Sequence, residues 1–416
     1  MAANDRIQVA SIGLGIMGTG DAHSSASVPG TKMVACADIY EGRLTHYKEM
    51  FGKDVFTSRD YREVLARKDV DAVIIATPDH WHDKIAIDAM NAGKDLYVQK
   101  PMVQKVEFGH PVIETWKKTN RILQVGSQRV SSMMYMKARD LVRAGAIGEV
   151  NVVEAHIDRN SSLGAWQYAI PPDASRETID WDTFLGRAPK HEFDPVRLFR
   201  WRNYQDYGTG IPGDLFVHLF TGIHFVMDSL GPERIWATGG LHYWKDGRDV
   251  PDVMLGLFDY PKTDKHAPYH VTLRVSFIAG QNSQGFRFVG SEGILTFGPD
   301  GLTLSKRPHE SEPGISVEMF SKAMQEAWIK NYRQKYPLQP VTSETMRPTV
   351  DEKFPVTERD AQYAHHANFI NAVRTRKPVV EDAEFGLRAA APAVLANTSY
   401  FEKRPINWDP VKMVVV

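Results

Sequence analysis

Short apolar runs alternate with helically spaced stretches over the first 130 residues. Ile7-Gln8-Val9-Ala10-Ser11-Ile12 reads as a buried strand and Met33-Val34-Ala35-Cys36-Ala37 as a second. Val70 to Ala76, Asp95-Leu96-Tyr97-Val98 and Ile122 to Gly126 read as three more, with helical spacing over Arg43–Phe51, Tyr61–Leu65 and Lys84–Ala92. Strand and helix in turn predict a parallel sheet wound with helices. From Val150 the pattern changes. Val150–Asp158, Arg234–Gly239, Val253–Phe258, His270–Phe277, Phe286–Val289 and Gly293–Phe297 are strand candidates with few helices between them. They predict a second, largely antiparallel sheet. Helices are expected over Asp214–Ser229 and from about Glu358 to Thr375. The stretch 299–355 is rich in Pro, Lys and Glu, with one helix-like run, Val317–Tyr332, and reads as a surface insertion. The expected domains are 1–130 and 131–416.

The turn after the first strand carries the first chemistry. Gly13-Leu14-Gly15-Ile16-Met17-Gly18 has the GxGxxG spacing, and Asp38 follows the last glycine by twenty positions at the end of the second strand. A strand, this turn, a helix and a carboxylate about 20 residues on form the dinucleotide-binding fingerprint of a Rossmann domain. Gly13 allows the tight turn, Gly15 lets a pyrophosphate approach the backbone, and Gly18 lets the helix pack closely. Ile16 and Met17 open a helix whose free N–H groups and positive dipole end suit phosphates. Asp38 would accept from both adenosine ribose hydroxyls, which favours NAD over NADP. Arg43 lies near enough to soften repulsion of a 2′-phosphate. In open α/β sheets ligands bind beyond the carboxyl ends of the strands. Thr77-Pro78-Asp79-His80-Trp81-His82, Gln99-Lys100-Pro101 and Gln128-Arg129 all follow strands, so they should converge on the glycine turn.

Composition narrows the partners. Lys plus Arg number 50 against 51 Asp plus Glu, a net charge of −1, so no basic footprint for nucleic acid is expected. No apolar run reaches the ~20 residues of a membrane span. The single cysteine, Cys36, sits in a core strand and reads as a structural thiol. No charged-then-apolar leader opens the chain, so a cytoplasmic protein is expected. A chain whose signal peptide had been removed would look the same, which leaves the periplasm open.

Taken together, these motifs resemble the Gfo/Idh/MocA oxidoreductases. The carriers are Gly13 to Gly18, Thr77 to His82, Lys100-Pro101 and Gly208-Thr209-Gly210-Ile211-Pro212-Gly213-Asp214-Leu215-Phe216-Val217-His218. Asn368 to Val373 and Gly386-Leu387-Arg388 look like that family's closing helices. The resemblance implies an α/β N-terminal Rossmann domain and an α+β domain with a large, mostly antiparallel open-faced sheet. One face of that sheet would carry substrate and its back would join a homodimer or homotetramer. The implied activity is hydride transfer between NAD and a ring carbinol of a sugar, glycoside or cyclitol. An alternative shares every motif: an NAD-retaining enzyme that cleaves glycosides by transient oxidation, elimination and re-reduction, with no net redox. The family usually has glutamate before its Lys-Pro pair; here Gln99 stands there.

Hydride transfer from a carbinol needs a base for the hydroxyl proton and a donor for the oxygen. Asp214 and His218 are four apart on an expected helix and share a face. The resemblance puts them at the substrate, with His218 as acid/base, Asp214 binding hydroxyls or orienting the imidazole, and Lys100 on the reacting oxygen. His80 and His82 are read as cofactor neighbours, His82 at a ribose, with Thr77, Pro78, Gln99 and Gln128 also on the cofactor. Arg129 and His156 are read as substrate contacts. The long aromatic stretch Arg159–Tyr207 reads as a substrate lid or a packing arm. Its Trp166, Arg202 and Tyr207 are assigned to substrate. Glu154, His156 and Asp158 alternate along one strand without a recognised ligand spacing, so no metal is expected.

Overall fold

Two sheets organise the chain in the computed structural model, which describes residues 6–306, 316–338, 351–357 and 360–416. The first is fully parallel. Its strands are β1 (Ile7–Ile12), β2 (Thr31–Ala37), β3 (Phe56–Ser58), β4 (Ala72–Ile75), β5 (Asp95–Val98) and β6 (Leu123–Val125), in the order β3-β2-β1-β4-β5-β6. This is the doubly wound order, and its direction reverses between β1 and β4, where a crevice opens beyond the strand ends. The apolar runs form strands because both faces are covered: Val9, Ala10, Ala72, Val73, Ile74 and Ile75 are fully buried. The three-residue edge strand β3 is not expected from the sequence; it is too short to give a pattern.

The second sheet holds β7 (Val150–Asp158), β8 (Arg234–Gly240), β9 (Val253–Tyr260), β10 (Tyr269–Ser276), β11 (Ser283–Gly290), β12 (Gly293–Gly298), β13 (Gly301–Lys306), β14 (Glu352–Pro355), β15 (Ile406–Asp409) and β16 (Val414–Val415). Their order is β14-β13-β12-β11-β7-β10-β9-β8-β15-β16, antiparallel except for β7 beside β10. The expected fold class, a parallel Rossmann sheet followed by a larger, mostly antiparallel one, is what the chain adopts. One face is covered by helices Val217–Met227 and Ala383–Glu402, and Phe220 meets Phe258 edge-on at 4.8 Å between ring centres. The other face is open. Alternation along β8 and β9 leaves Trp236, Leu255 and Leu257 exposed there.

Three sequence expectations meet a different local structure. The expected helix from Asp214 begins as a π-turn, Pro212–Phe216, before the α-helix Val217–Met227. The closing helix spans Ala361–Thr375 with Asp360 as its side-chain cap; Glu358 lies outside the described residues. Within 299–355, the ends are sheet strands, with β13 pairing antiparallel to β14. Helix Lys322–Lys335 lies between them, and 307–315 and 339–350 are outside the described residues.

The stretch Arg159–Tyr207 is an arm with its own core. Ile179, Trp181, Phe184, Leu185, Leu198, Phe199, Tyr204 and Tyr207 cluster with Tyr40 of the first domain. The arm is tied down by backbone bonds from Glu41 N to Thr178 O and from Asp180 N to Ile39 O, and by the Arg187–Asp83 ion pair. It therefore lies across the mouth of the crevice between β1 and β4.

Candidate active site

The glycine turn closes one end of this crevice. Gly13 has φ +85°, and a Cβ there would lie 2.6 Å from Ala76 O. A Cβ on Gly18 would lie 2.0 Å from Gly13 O, so the helix Ile16–Ser27 can sit this close only with glycine. Gly15 differs: the nearest atom to an added Cβ is in Arg43, 3.8 Å away, so its backbone faces open space. No side chain caps that helix, leaving its N–H groups to a ligand. Asp38 is fixed by two backbone donors, Leu14 N at 2.7 Å and Tyr40 N at 3.0 Å, with Arg43 Nη1 at 3.5 Å. These residues fit a dinucleotide: glycine backbone and helix end for the pyrophosphate, a held carboxylate for the ribose.

The crevice has a volume of about 450 Å³ and runs from Gly13, Gly15, Ile16, Met17, Asp38 and Arg43 past Thr77, Pro78 and His82 to Gln99, Lys100 and Arg202. The arm walls it with Leu163, Tyr168, Phe184, Phe199 and Trp201. Lid and packing arm are thus not exclusive readings. The tryptophan and tyrosine cluster holds the arm, and the arm covers the crevice.

At the far end a polar group assembles from three segments. Lys100, just after β5, donates to Asp214 Oδ1 at 2.8 Å and to the Asp214 carbonyl at 2.9 Å. The wider π-turn presents that carbonyl to a side chain, and such turns recur at functional sites. Arg202 Nε donates to the same carboxylate oxygen at 3.1 Å. Burial alone would raise the Asp214 carboxyl, but Lys100, Arg202 and Arg159 hold it well below the usual carboxylate range. His218, one turn on, has Nδ1 3.1 Å from Ser127 Oγ. Burial first, then Lys100 and Arg129, push the imidazole well below its ordinary value, so it is neutral and can accept a proton. An ammonium has three donors. Lys100 uses two on Asp214 and keeps one.

Several expected site residues are elsewhere or are otherwise engaged. His156 is a correction. It pairs in register with Arg274, which pairs with Leu255, so it lies on the open face, across the sheet from His218. Trp166 is fully buried against Phe277 and Tyr207 is fully buried beside Phe184, so both are core residues. His80 is buried, with Nε2 donating to Phe184 O at 2.8 Å, and burial lowers its imidazole to about 4. His82 lines the crevice, but both ring nitrogens face carbonyl oxygens, Thr77 O and Pro101 O, each at 2.8 Å. It clasps the β4 turn to the Lys100 segment and has no nitrogen left for a ribose. Gln99 lines the crevice too, with its amide turned to Asp21 Oδ2 at 2.7 Å. Gln128 and Arg129 sit on the one-turn helix Gln128–Ser131, outside the crevice lining and on the His218 side. Sequence reading missed Ser127, Tyr168 and Arg159 as site neighbours. The last two belong to the arm, whose path no local pattern shows.

The remaining acids of the metal question are paired. Glu154 meets Arg287 and Asp158 meets Arg274 at 2.6 Å. Burial pushes the Cys36 thiol up to about 12, so it is inert. Among the described residues no helix is long and apolar enough to cross a membrane.

Comparison with known proteins identifies the family. The Gfo/Idh/MocA oxidoreductase models match the chain twice: the NAD-binding Rossmann fold over residues 7–127 and the C-terminal alpha/beta domain over 139–408. The scyllo-inositol 2-dehydrogenase (NAD(+)) of Bacillus subtilis is 34% identical over 145 residues, 35% of this chain and 42% of that protein. Glycosyl hydrolase family 109 protein 2 of a Shewanella strain is 30% identical over 184 residues, 40% of each. The chain spans about half the length, or less, of the curated relatives it matches. A levoglucosan dehydrogenase solved in complex with NADH superposes with a TM-score of 0.67 over 97% of this chain and 99% of its own, at 17% identity, a likeness of fold.

Proposed function

Because the chain belongs to the Gfo/Idh/MocA oxidoreductase family, we propose that it oxidises or reduces one ring carbinol of a sugar, glycoside or cyclitol with NAD. The observation that carries the proposal is the Lys100–Asp214 contact with His218 one turn away, at the end of a crevice that begins at the glycine turn. Gly13, Gly15, Gly18 and Asp38 hold the dinucleotide, and Asp38 favours NAD over NADP. Bound NAD supplies the hydride acceptor. Lys100 gives its third N–H to the carbinol oxygen and steadies the charge that develops there. Neutral His218 takes the hydroxyl proton, with Ser127 holding the other ring nitrogen. Asp214 holds Lys100 in place, and Arg202 shares that carboxylate. NADH absorbance from NAD and a panel of free sugars, glycosides and cyclitols tests the reading; no NADH from any of them overturns it.

One observation favours the second reading, glycoside cleavage with retained NAD. The arm from Leu163 to Arg202 covers the crevice and is anchored to the first domain. A covered cofactor is one that need not leave. Aglycone release without net NADH, and a nucleotide that copurifies with the protein, would decide for this reading.

The open sheet face supports a homodimer or homotetramer. Trp236, Leu255 and Leu257 are 43%, 44% and 55% exposed there. Apolar side chains grouped on one face mark interaction sites. Light scattering on wild type and Leu257→Glu tests it, with a smaller particle expected for the variant. A cytoplasmic location suits a dehydrogenase supplied with free NAD, and cell fractionation checks that.

A further inference from the structure

Two adjacent histidines of the closing helix Ala361–Thr375, His365 and His366, are buried and face different parts of the site. His366 faces the cofactor side. Its Nε2 donates to Asp21 Oδ1 at 3.1 Å, and its Nδ1 lies 3.0 Å from Ser25 Oγ. Both partners are on the helix that opens at the glycine turn.

His365 faces the His218 side. Its Nε2 lies 2.8 Å from Val125 O and its Nδ1 2.8 Å from Ser131 Oγ. These contacts fall on either side of Ser127, whose hydroxyl lies 3.1 Å from His218 Nδ1. Ser127 N donates to the same Val125 carbonyl at 2.9 Å. A carbonyl oxygen has two lone pairs, so one acceptor holds both Ser127 and His365.

The hydrogen positions follow from what each group can do. Burial lowers the His365 imidazole to about 4, so the ring is neutral and carries one N–H. A carbonyl only accepts, so that hydrogen sits on Nε2, and Nδ1 accepts from the Ser131 hydroxyl. Ser131 Oγ in turn accepts from Asn368 Nδ2 at 3.0 Å, one turn further along the closing helix. Gln124 Nε2 donates to the His365 carbonyl at 2.8 Å. The segment from the end of β6 to Ser131 is thus pinned to one helix at both ends. A buried network with every group satisfied fixes a single arrangement.

We infer that His365 is a positioning residue for the acid/base: it holds Val125 O and Ser131 Oγ, which sets Ser127, and Ser127 sets the ring of His218. His366 holds the cofactor helix from the same turn. The inference rests on the dehydrogenase reading for the role of His218.

Ser131→Ala tests it with the loss of one hydroxyl. The assay uses NAD and whichever sugar or cyclitol of the panel gives most NADH. Turnover, kcat, should fall about 10- to 100-fold, as a displacement of about 1 Å at a catalytic group brings. KM and the NAD dissociation constant should stay within about twofold, the mark of an interaction made only in the transition state. His365→Gln, whose amide can still donate to Val125 O, should keep more turnover than His365→Leu. In a Ser127→Ala background, Ser131→Ala should cost less than about threefold more, because groups acting through one contact are not additive. Unchanged kcat in Ser131→Ala, a loss confined to KM or NAD affinity, or full additivity of the two serine variants overturns the inference. Should His365→Leu fail to fold, Ser131→Ala decides alone. Wild type that forms no NADH from any panel member sinks the dehydrogenase reading separately. The test then passes to the NAD-loaded protein labelled with ¹⁵N-histidine. The His218 ring signals, assigned by their loss in His218→Ala, should shift in Ser131→Ala, and unmoved signals overturn the inference.

Discussion

Lys100 and Asp214 are 114 positions apart in the chain, and Nζ of the first lies 2.8 Å from Oδ1 of the second. Their side chains are only 8% and 14% exposed, so each charge depends on the other. Removing one partner of a buried pair costs far more than the pair gains, about 3–5 kcal/mol. Asp214→Asn leaves Lys100 and Arg202 without their anion and is expected to lose stability of that order in a denaturant titration. A loss under about 1 kcal/mol, the range of exposed pairs, would show the contact to be slack.

Lys100→Ala and His218→Ala should each reduce kcat by about 10²–10⁴, the usual worth of a positioned acid or base. NAD affinity, measured by titration, should change little, because neither residue faces the glycine turn. Normal turnover in both variants would remove them from the chemistry.

The pH profile follows from the electrostatics of His218. Burial first and Lys100 second hold its imidazole below the ordinary value of 6.5. As a base it works only when neutral, so the acid limb of kcat/KM should fall below pH 6.5. Removing the neighbouring charge in Lys100→Met should move that limb upward. Stability has a matching sign: a histidine kept neutral in the fold favours unfolding once the pH drops below 6.5, because the unfolded chain binds the proton more readily. A limb that stays put in Lys100→Met would show that the two groups are not coupled.

Asp38→Ala removes a carboxylate fixed by Leu14 N and Tyr40 N. NAD affinity should fall about tenfold, in line with losing a charged hydrogen-bond acceptor. NADP should lose less, so the ratio narrows. An unchanged ratio of the two dissociation constants would place the ribose elsewhere.

Gln99→Glu tests the departure from the family pattern. Asp21 is fully buried and receives Gln99 Nε2 at 2.7 Å, Gln362 Nε2 at 3.1 Å and His366 Nε2 at 3.1 Å. A glutamate would set a second carboxylate against it and would have to take up a proton on folding. The variant should lose about 2–4 kcal/mol at neutral pH. The loss should shrink toward pH 5, since a carboxyl raised in the fold favours the folded state only while protonated. Equal stability at pH 5 and pH 8 relative to wild type would show that the introduced carboxyl turns away from Asp21. The amide therefore answers to Asp21, and Lys100 finds its carboxylate in Asp214 instead.

The sequence by itself determined the local elements and one end of the site. Buried parallel strands are continuous apolar runs, so β1, β2, β4, β5 and β6 were legible. A glycine turn acts through its own backbone, so Gly13 to Gly18 and Asp38 could be assigned within forty residues of chain. Strand-like runs with few helices between them marked β7 to β12. Only the tertiary structure decided the rest. Alternation says that His156 and Ala155 face opposite ways, but which face the helices cover is a matter of packing, and they cover the one His156 avoids. Tryptophan and tyrosine in the arm have the same composition whether they bind sugar or fill a core, and Trp166 and Tyr207 fill a core. His82 has the residue type of a ligand contact, yet two carbonyls claim its ring. The π-turn at Asp214, and the Lys100 side chain that meets its carbonyl, depend on contacts between segments far apart in the chain. Such contacts leave no periodicity to read.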